Sequence, residues 1–188
     1  MQTRLMTILL LALLASVPGS LAAQRSRRPT RGEDTGPVNV TRSATLRVSI
    51  ASDATGIFDY LSDSQKLILW FPNQAIMEPQ LGGQYHFRWE GTEGVWSGVV
   101  TEFIRGNTLG YTWRAPNDPY PTNVRFKLSP QGAETTVELT HGGFASSDLL
   151  DKAVKAWVLY LRNLKSVVEG GTDMREATRR PATRPRRR

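Results

Sequence analysis

The stretch from Ser146 to Gly170 limits what this chain can become more than any other. Its apolar residues fall at Leu150, Ala153, Val154, Trp157, Tyr160, Leu161, Leu164, Val167 and Val168, in steps of three and four that form one helical stripe. Ser146 or Ser147 can cap the start, Asp148 and Asp151 complement the positive end of the dipole, and Lys165 complements the other. Gly170-Gly171 supplies the stop. Asp148 with Lys152 and Asp151 with Lys155 are ion pairs expected four residues apart. At 1.5 Å per residue the helix is roughly 35 Å long, so its aromatic stripe needs an equally extended apolar partner.

The preceding sequence supplies one. Leu46, Val48 and Ile50 alternate with polar residues in a first strand from Ala44 to Ile50. Two short helices follow, one capped by Ser52 or Asp53 and carrying Ile57, Phe58 and Leu61. The other is capped by Asp63 or Ser64, carries Leu67, Ile68, Trp70 and Phe71, and stops at Pro72. From Ile76 to His141 the pattern is a series of strands and turns. Tyr85, Phe87 and Trp89 share one face, as do Leu109, Tyr111 and Trp113, then Val124, Phe126 and Leu128, then Val137, Leu139 and His141. The expectation is an α+β fold in which a curved antiparallel sheet wraps around a long C-terminal helix, with two short helices after the first strand.

Charge separates this region from its flanks. The chain of 188 residues carries a formal charge of +7. Residues 23–42 hold five arginines against Glu33 and Asp34, and residues 171–188 hold seven against Asp173 and Glu176. Residues 43–170 have eleven bases against thirteen acids, a net −2. A basic nucleic-acid face on the folded part is therefore not expected, and attraction to polyanions belongs to the tails. Residues 1–22 read as a secretory signal: Arg4, an apolar run from Met6 to Val17, and small residues suited to cleavage near Ala22. The predicted location is secreted or periplasmic, and an uncleaved anchor is the alternative. Residues 23–42 read as a disordered basic linker, 43–170 as the domain, and 171–188 as a disordered arginine-rich tail. That tail suits an anionic membrane surface or serves only to solubilise.

The chain has no cysteine, which removes disulfides, thiolate metal sites and cysteine nucleophiles together. His86 alternates onto the outer face. His141 ends the last strand, either at a cavity mouth or hydrogen-bonded to backbone where strand meets helix. The two histidines match no metal-ligand spacing. Gly94-Val95-Trp96-Ser97-Gly98 lacks the glycine two before its serine that a hydrolase elbow needs. Glu102 would be a candidate base only if it pointed inward. No catalytic residue, metal or cofactor is predicted.

The order of elements, and the residues Ile57-Phe58, Trp70-Phe71, Gly82-Gly83-Gln84-Tyr85, Leu109 to Trp113, Val124-Arg125-Phe126, Thr136 to Phe144, Trp157 and Leu164, resemble the SRPBCC superfamily of START-like, birch-pollen-allergen-like helix-grip proteins. Within it they are similar to the branch named for activators of the 90 kDa heat-shock protein's ATPase. The resemblance implies a cavity between sheet and helix. Its lining here would be Phe87, Trp89, Tyr111, Trp113, Phe126, His141, Trp157 and Tyr160, holding a hydrophobic small molecule or lipid in a monomeric protein. The alternatives are a cyclase- or hydrolase-like enzyme in the same cavity, a protein-binding co-chaperone-like module, and rings that simply fill a core. A dry pocket of about 300 Å³ would cost roughly 7 kcal/mol at 24 cal/mol per Å³, against a total stability of about 5–15 kcal/mol. Any such pocket must be occupied, wet or plugged.

Overall fold

The alternation of Leu46, Val48 and Ile50 sets the register of the whole sheet. In a computed structural model, which describes residues 41–118 and 120–177, β1 (Arg42–Ile50) pairs with β7 (Glu134–Phe144). Leu46 lies opposite Leu139, and the row continues through Phe126, Leu109 and Phe103 on three further strands. One row along, Ala44, His141, Val124, Tyr111 and Val100 line up in the same way. Side chains alternate strictly across a strand, so these rows build one continuous apolar face.

The remaining strands are β2 (Gln74–Met77), β3 (Gln84–Arg88), β4 (Trp96–Ile104), β5 (Thr108–Trp113) and β6 (Thr122–Gln131). All seven are antiparallel, in the order β1-β7-β6-β5-β4-β3-β2. Two short helices, α1 (Ala54–Ser62) and α2 (Ser64–Leu67), separate β1 from β2. Asp53 caps the first by accepting from Gly56 N, and Asp63 caps the second by accepting from Gln65 N and Lys66 N. The second helix is shorter than its apolar spacing predicts. After Leu67 the backbone tightens into turns, with Trp70 N and Phe71 N both donating to Leu67 O. Pro72 excludes the α conformation from the residue before it. Trp70 and Phe71 are still buried.

The long helix α3 (Ser147–Val168) is capped by Ser146, which accepts from Asp148 N. It packs chiefly on β1, with further contacts to β7 and α1. Its end is tied down twice: Lys165 Nζ donates to Ser49 O, and Glu169 accepts from Ala51 N and Lys165 Nζ. Those hydrogen bonds hold the Glu169 carboxyl below the usual range. The ion pair that forms four residues apart is Lys165–Glu169; among the described residues neither Asp148–Lys152 nor Asp151–Lys155 closes. Both are exposed pairs, for which the Coulombic gain barely offsets the entropy of holding two side chains together.

Packing continues beyond Gly170, where the sequence predicts the domain to end. A further turn, α4 (Met174–Ala177), folds back onto the α2 turn. Arg175 Nη1 and Nη2 donate to the carbonyls of Phe71, Pro72 and Ile68 at 3.2, 3.0 and 2.8 Å, and the same guanidinium pairs with Asp173. Asn163, buried toward the C-terminal end of α3, donates to Trp70 O and Asp173 Oδ1 and accepts from Met174 N. Burial works to raise the Asp173 carboxyl, but its bonds to Arg175 and Asn163 outweigh that and leave it lowered. A composition rich in arginine does not make these residues a tail, because this guanidinium has carbonyls to satisfy. The signal, most of the linker, and residues 178–188 lie outside the described residues.

Candidate functional site

Because α3 sits over the β1–β7 end of the sheet, its first half stands apart from the hairpin of β3 and β4. Between them opens a cleft of about 580 Å³. Trp89 and Trp96 form the hairpin side, Trp157, Tyr160 and Ala156 the helix side, and Phe71, Trp113 and His141 the floor. Phe71 is the hub. Its ring stacks on Trp157 at 5.1 Å and meets Tyr160 edge-on at 4.8 Å and Trp89 edge-on at 5.2 Å. Trp89 in turn meets Trp96 at 4.8 Å. Such offset and edge-to-face contacts are worth about 0.5–1.5 kcal/mol each beyond area burial, so the wall is stiff.

Five of the eight residues named from sequence border this cleft: Trp89, Trp113, His141, Trp157 and Tyr160. Phe87, Tyr111 and Phe126 do not. They are 0%, 3% and 1% exposed, in the core layer beneath. The rings thus neither simply line a pocket nor simply plug one. The deep ones fill the core and the outer ones face the opening. An open, solvent-filled cleft also escapes the penalty of a dry void. Phe71, Trp96 and Ala156 were absent from the sequence-predicted lining. Trp96 had a signal, since it pairs with Phe87 across the hairpin; Phe71 belongs to a turn whose direction no periodicity gives.

The polar groups at the floor satisfy one another. Trp157 Nε1 can only donate, and it donates to His141 Nδ1 at 2.9 Å. His141 is therefore the neutral tautomer with its proton on Nε2, which donates to Thr122 Oγ1 at 2.8 Å. The threonine hydroxyl passes its own proton to Trp113 O at 3.2 Å. Burial lowers the His141 pKa to about 4, so the ring stays neutral at physiological pH. His141 thus borders the cleft, and its hydrogen bonds go to side chains rather than to backbone. Trp89 Nε1 is likewise engaged, by Phe71 O at 3.2 Å. Among the described residues no buried side-chain polar atom lacks a partner. The cleft offers a ligand chiefly ring faces and edges, with the Tyr160 phenol among them, its pKa raised by burial. Charge is confined to the rim, where Glu90 and Lys152 stand.

Two other candidates are placed elsewhere. Glu102 points outward and accepts two bonds from Arg125 Nε, at 2.9 and 3.0 Å, across Gly110. It is a surface ion pair rather than a buried base. His86 is exposed on the outer face of β3. The glycine of the rejected elbow motif has a packing role instead. A Cβ on Gly98 would lie 2.2 Å from Thr112 O and 2.7 Å from the Tyr85 ring, whose hydroxyl donates to that same carbonyl.

A seven-stranded antiparallel sheet closed by a long C-terminal helix, with two short helices inserted after the first strand, defines a helix-grip domain of the SRPBCC class. The chain belongs to the family described as "Activator of Hsp90 ATPase homolog 1-like protein", whose profile matches residues 52–169. No curated protein matches the chain. Among solved structures, the Aha1 dimer from Colwellia psychrerythraea is 25% identical with a TM-score of 0.63, covering 69% of this chain and 98% of that one. Protein MLL2253 from Mesorhizobium loti is 19% identical with the same TM-score of 0.63, covering 69% and 98%. CalU16 from Micromonospora echinospora is 20% identical at 0.59, covering 69% and 76%. The last two likenesses speak for the fold alone. Family membership makes this a domain of the ligand-binding type.

Proposed function

We propose that this domain binds a hydrophobic small molecule or lipid in the cleft between the β3–β4 hairpin and α3, without transforming it. The observation that carries the reading is a cleft of about 580 Å³ walled by Trp, Phe and Tyr rings, with the Trp89 and Trp157 indole N–H groups already paired. Apolar burial supplies the affinity, at about 25 cal/mol per Å². The experiment is a titration of the protein with the neutral fluorophore N-phenyl-1-naphthylamine. Binding in the cleft raises its emission, and Ala156→Trp, which adds bulk at an exposed lining position, removes that rise. Equal emission from both proteins means that the probe sits elsewhere.

The signal-like residues 1–22 support an exported protein, secreted or periplasmic, whose first mature residue lies near Ala23; N-terminal sequencing of the purified protein checks this. The arginines from Arg179 onward suit an anionic membrane surface, at about 1 kcal/mol per arginine near it. Deleting residues 178–188 then abolishes co-sedimentation with phosphatidylserine vesicles.

A further inference from the structure

The cleft continues past Tyr160. Beyond that ring lies a second apolar recess of about 300 Å³, bordered by Leu159, Arg162 and Asn163 of α3 and by Met174 and Arg175. Ala156 and Tyr160 border both spaces. Lys152, Ala156, Leu159 and Asn163 recur at steps of three and four, so one stripe of α3 borders both recesses. From Lys152 to Arg162 the helix rises about 15 Å at 1.5 Å per residue, longer than a compact ring system requires. The far wall exists only because the chain turns back after α3, and α4 lies outside the matched residues 52–169.

Charge and exposure indicate what fits. At the tryptophan end Glu90 and Lys152 offset one another. At the far end Arg162 forms no ion pair among the described residues, while the Arg175 guanidinium is turned toward Asp173 and the carbonyls of the α2 turn. The far end is thus the cationic one. Leu159 and Met174 are 64% and 45% exposed there, apolar surface that an occupant would cover.

We infer that the groove takes a single-chain anionic amphiphile, its unbranched apolar tail running past Ala156 toward Trp89 and Trp113 and its carboxylate held at Arg162. The inference rests on the reading of the cleft as a ligand site.

The test is calorimetric titration of the full chain with octanoate, decanoate and dodecanoate, with 1-decanol and naphthalene as neutral probes. Each added methylene tightens Kd about two- to fourfold, the upper figure corresponding to about 0.8 kcal/mol per buried methylene. Arg162→Glu weakens decanoate about five- to tenfold and leaves decanol unchanged. Arg162 is exposed, and an unchanged melting temperature of the variant shows the fold intact. Naphthalene binding with no gain from octanoate to dodecanoate overturns the inference and leaves the cleft reading standing. Absence of binding by every probe overturns both. Equal weakening of decanoate and decanol in Arg162→Glu overturns the placement of the carboxylate.

Discussion

Protonating His141 would set a second N–H against the indole N–H of Trp157, and that conflict makes the residue a pH sensor of stability. Its folded pKa, near 4, lies below the unfolded value of 6.5. Between those values the unfolded chain binds the proton and the folded chain does not. Stability is therefore full above pH 6.5 and falls by roughly 3 kcal/mol as pH drops toward 4, each tenfold difference in proton affinity between the two states being worth about 1.4 kcal/mol. The lowered carboxyls of Asp173 and Glu169 lose their contributions only below their ordinary values of 3.8 and 4.5, so between pH 7 and 5 the histidine dominates. Urea denaturation across that window shows a falling midpoint for the native chain and a flatter one for His141→Gln. Parallel curves would contradict the buried relay. Gly98 gives a second residue-scale prediction: Gly98→Ala must move Thr112 or Tyr85 and costs about 1–3 kcal/mol as overpacking. A denaturation midpoint unchanged from the native chain would show the contact to be absent. Sequence put His141 in phase with Val137 and Leu139, which share its face, though β7 runs on past it to Phe144. Its partners could not be read, because Thr122 and Trp157 stand 19 and 16 residues away and meet it only through register and helix placement.

At the scale of elements, periodicity was enough for most of the fold. The period of two in β1, β3, β5, β6 and β7 and the stripe of α3 describe local geometry, and each element follows its own pattern. What periodicity missed is the segment after α3, which is held by hydrogen bonds rather than by an apolar face. Asn163 carried a clue, as a polar residue between Tyr160 and Leu164 on the buried side of the helix. Arg175 carried none, because in a count of charges it looks like the arginines after it. Its removal leaves the carbonyls of Ile68 and Pro72 without their donor, while Phe71 O keeps Trp89 Nε1 and Asp173 keeps Asn163 Nδ2. Arg175→Ala is expected to cost about 2 kcal/mol, within the range for hydrogen bonds to charged groups. Arg175→Lys restores only part of it, since an ammonium cannot fork across Ile68, Phe71 and Pro72. Chemical denaturation of both variants beside the exposed control Arg162→Ala is the check. If Arg175→Ala matches that control, α4 is not anchored as described. The same anchor bears on the site, for it grips the backbone of Phe71, the hub of the cleft wall.

For the whole molecule, the offset of α3 toward β1 and β7 decides where a ligand can enter. A helix laid centrally would have sealed the sheet and buried every ring that sequence nominated. Instead Phe87, Tyr111 and Phe126 close the core, Trp157 borders the cleft from within that core at 4% exposure, and the half-buried Trp89, Trp113 and Tyr160 face the opening. Sequence could supply the rings but not this division, which depends on where the helix rests over the sheet. The same placement accounts for stability without a dry void: the core is filled, and the cleft is open to water until an apolar molecule displaces it. Native mass spectrometry of the purified full chain asks whether this opening is a ligand site. The account predicts an apolar adduct, carried from extract or added, that Ala156→Trp excludes. A native chain that retains no adduct from any extract, and whose melting temperature no added apolar molecule shifts, would contradict it.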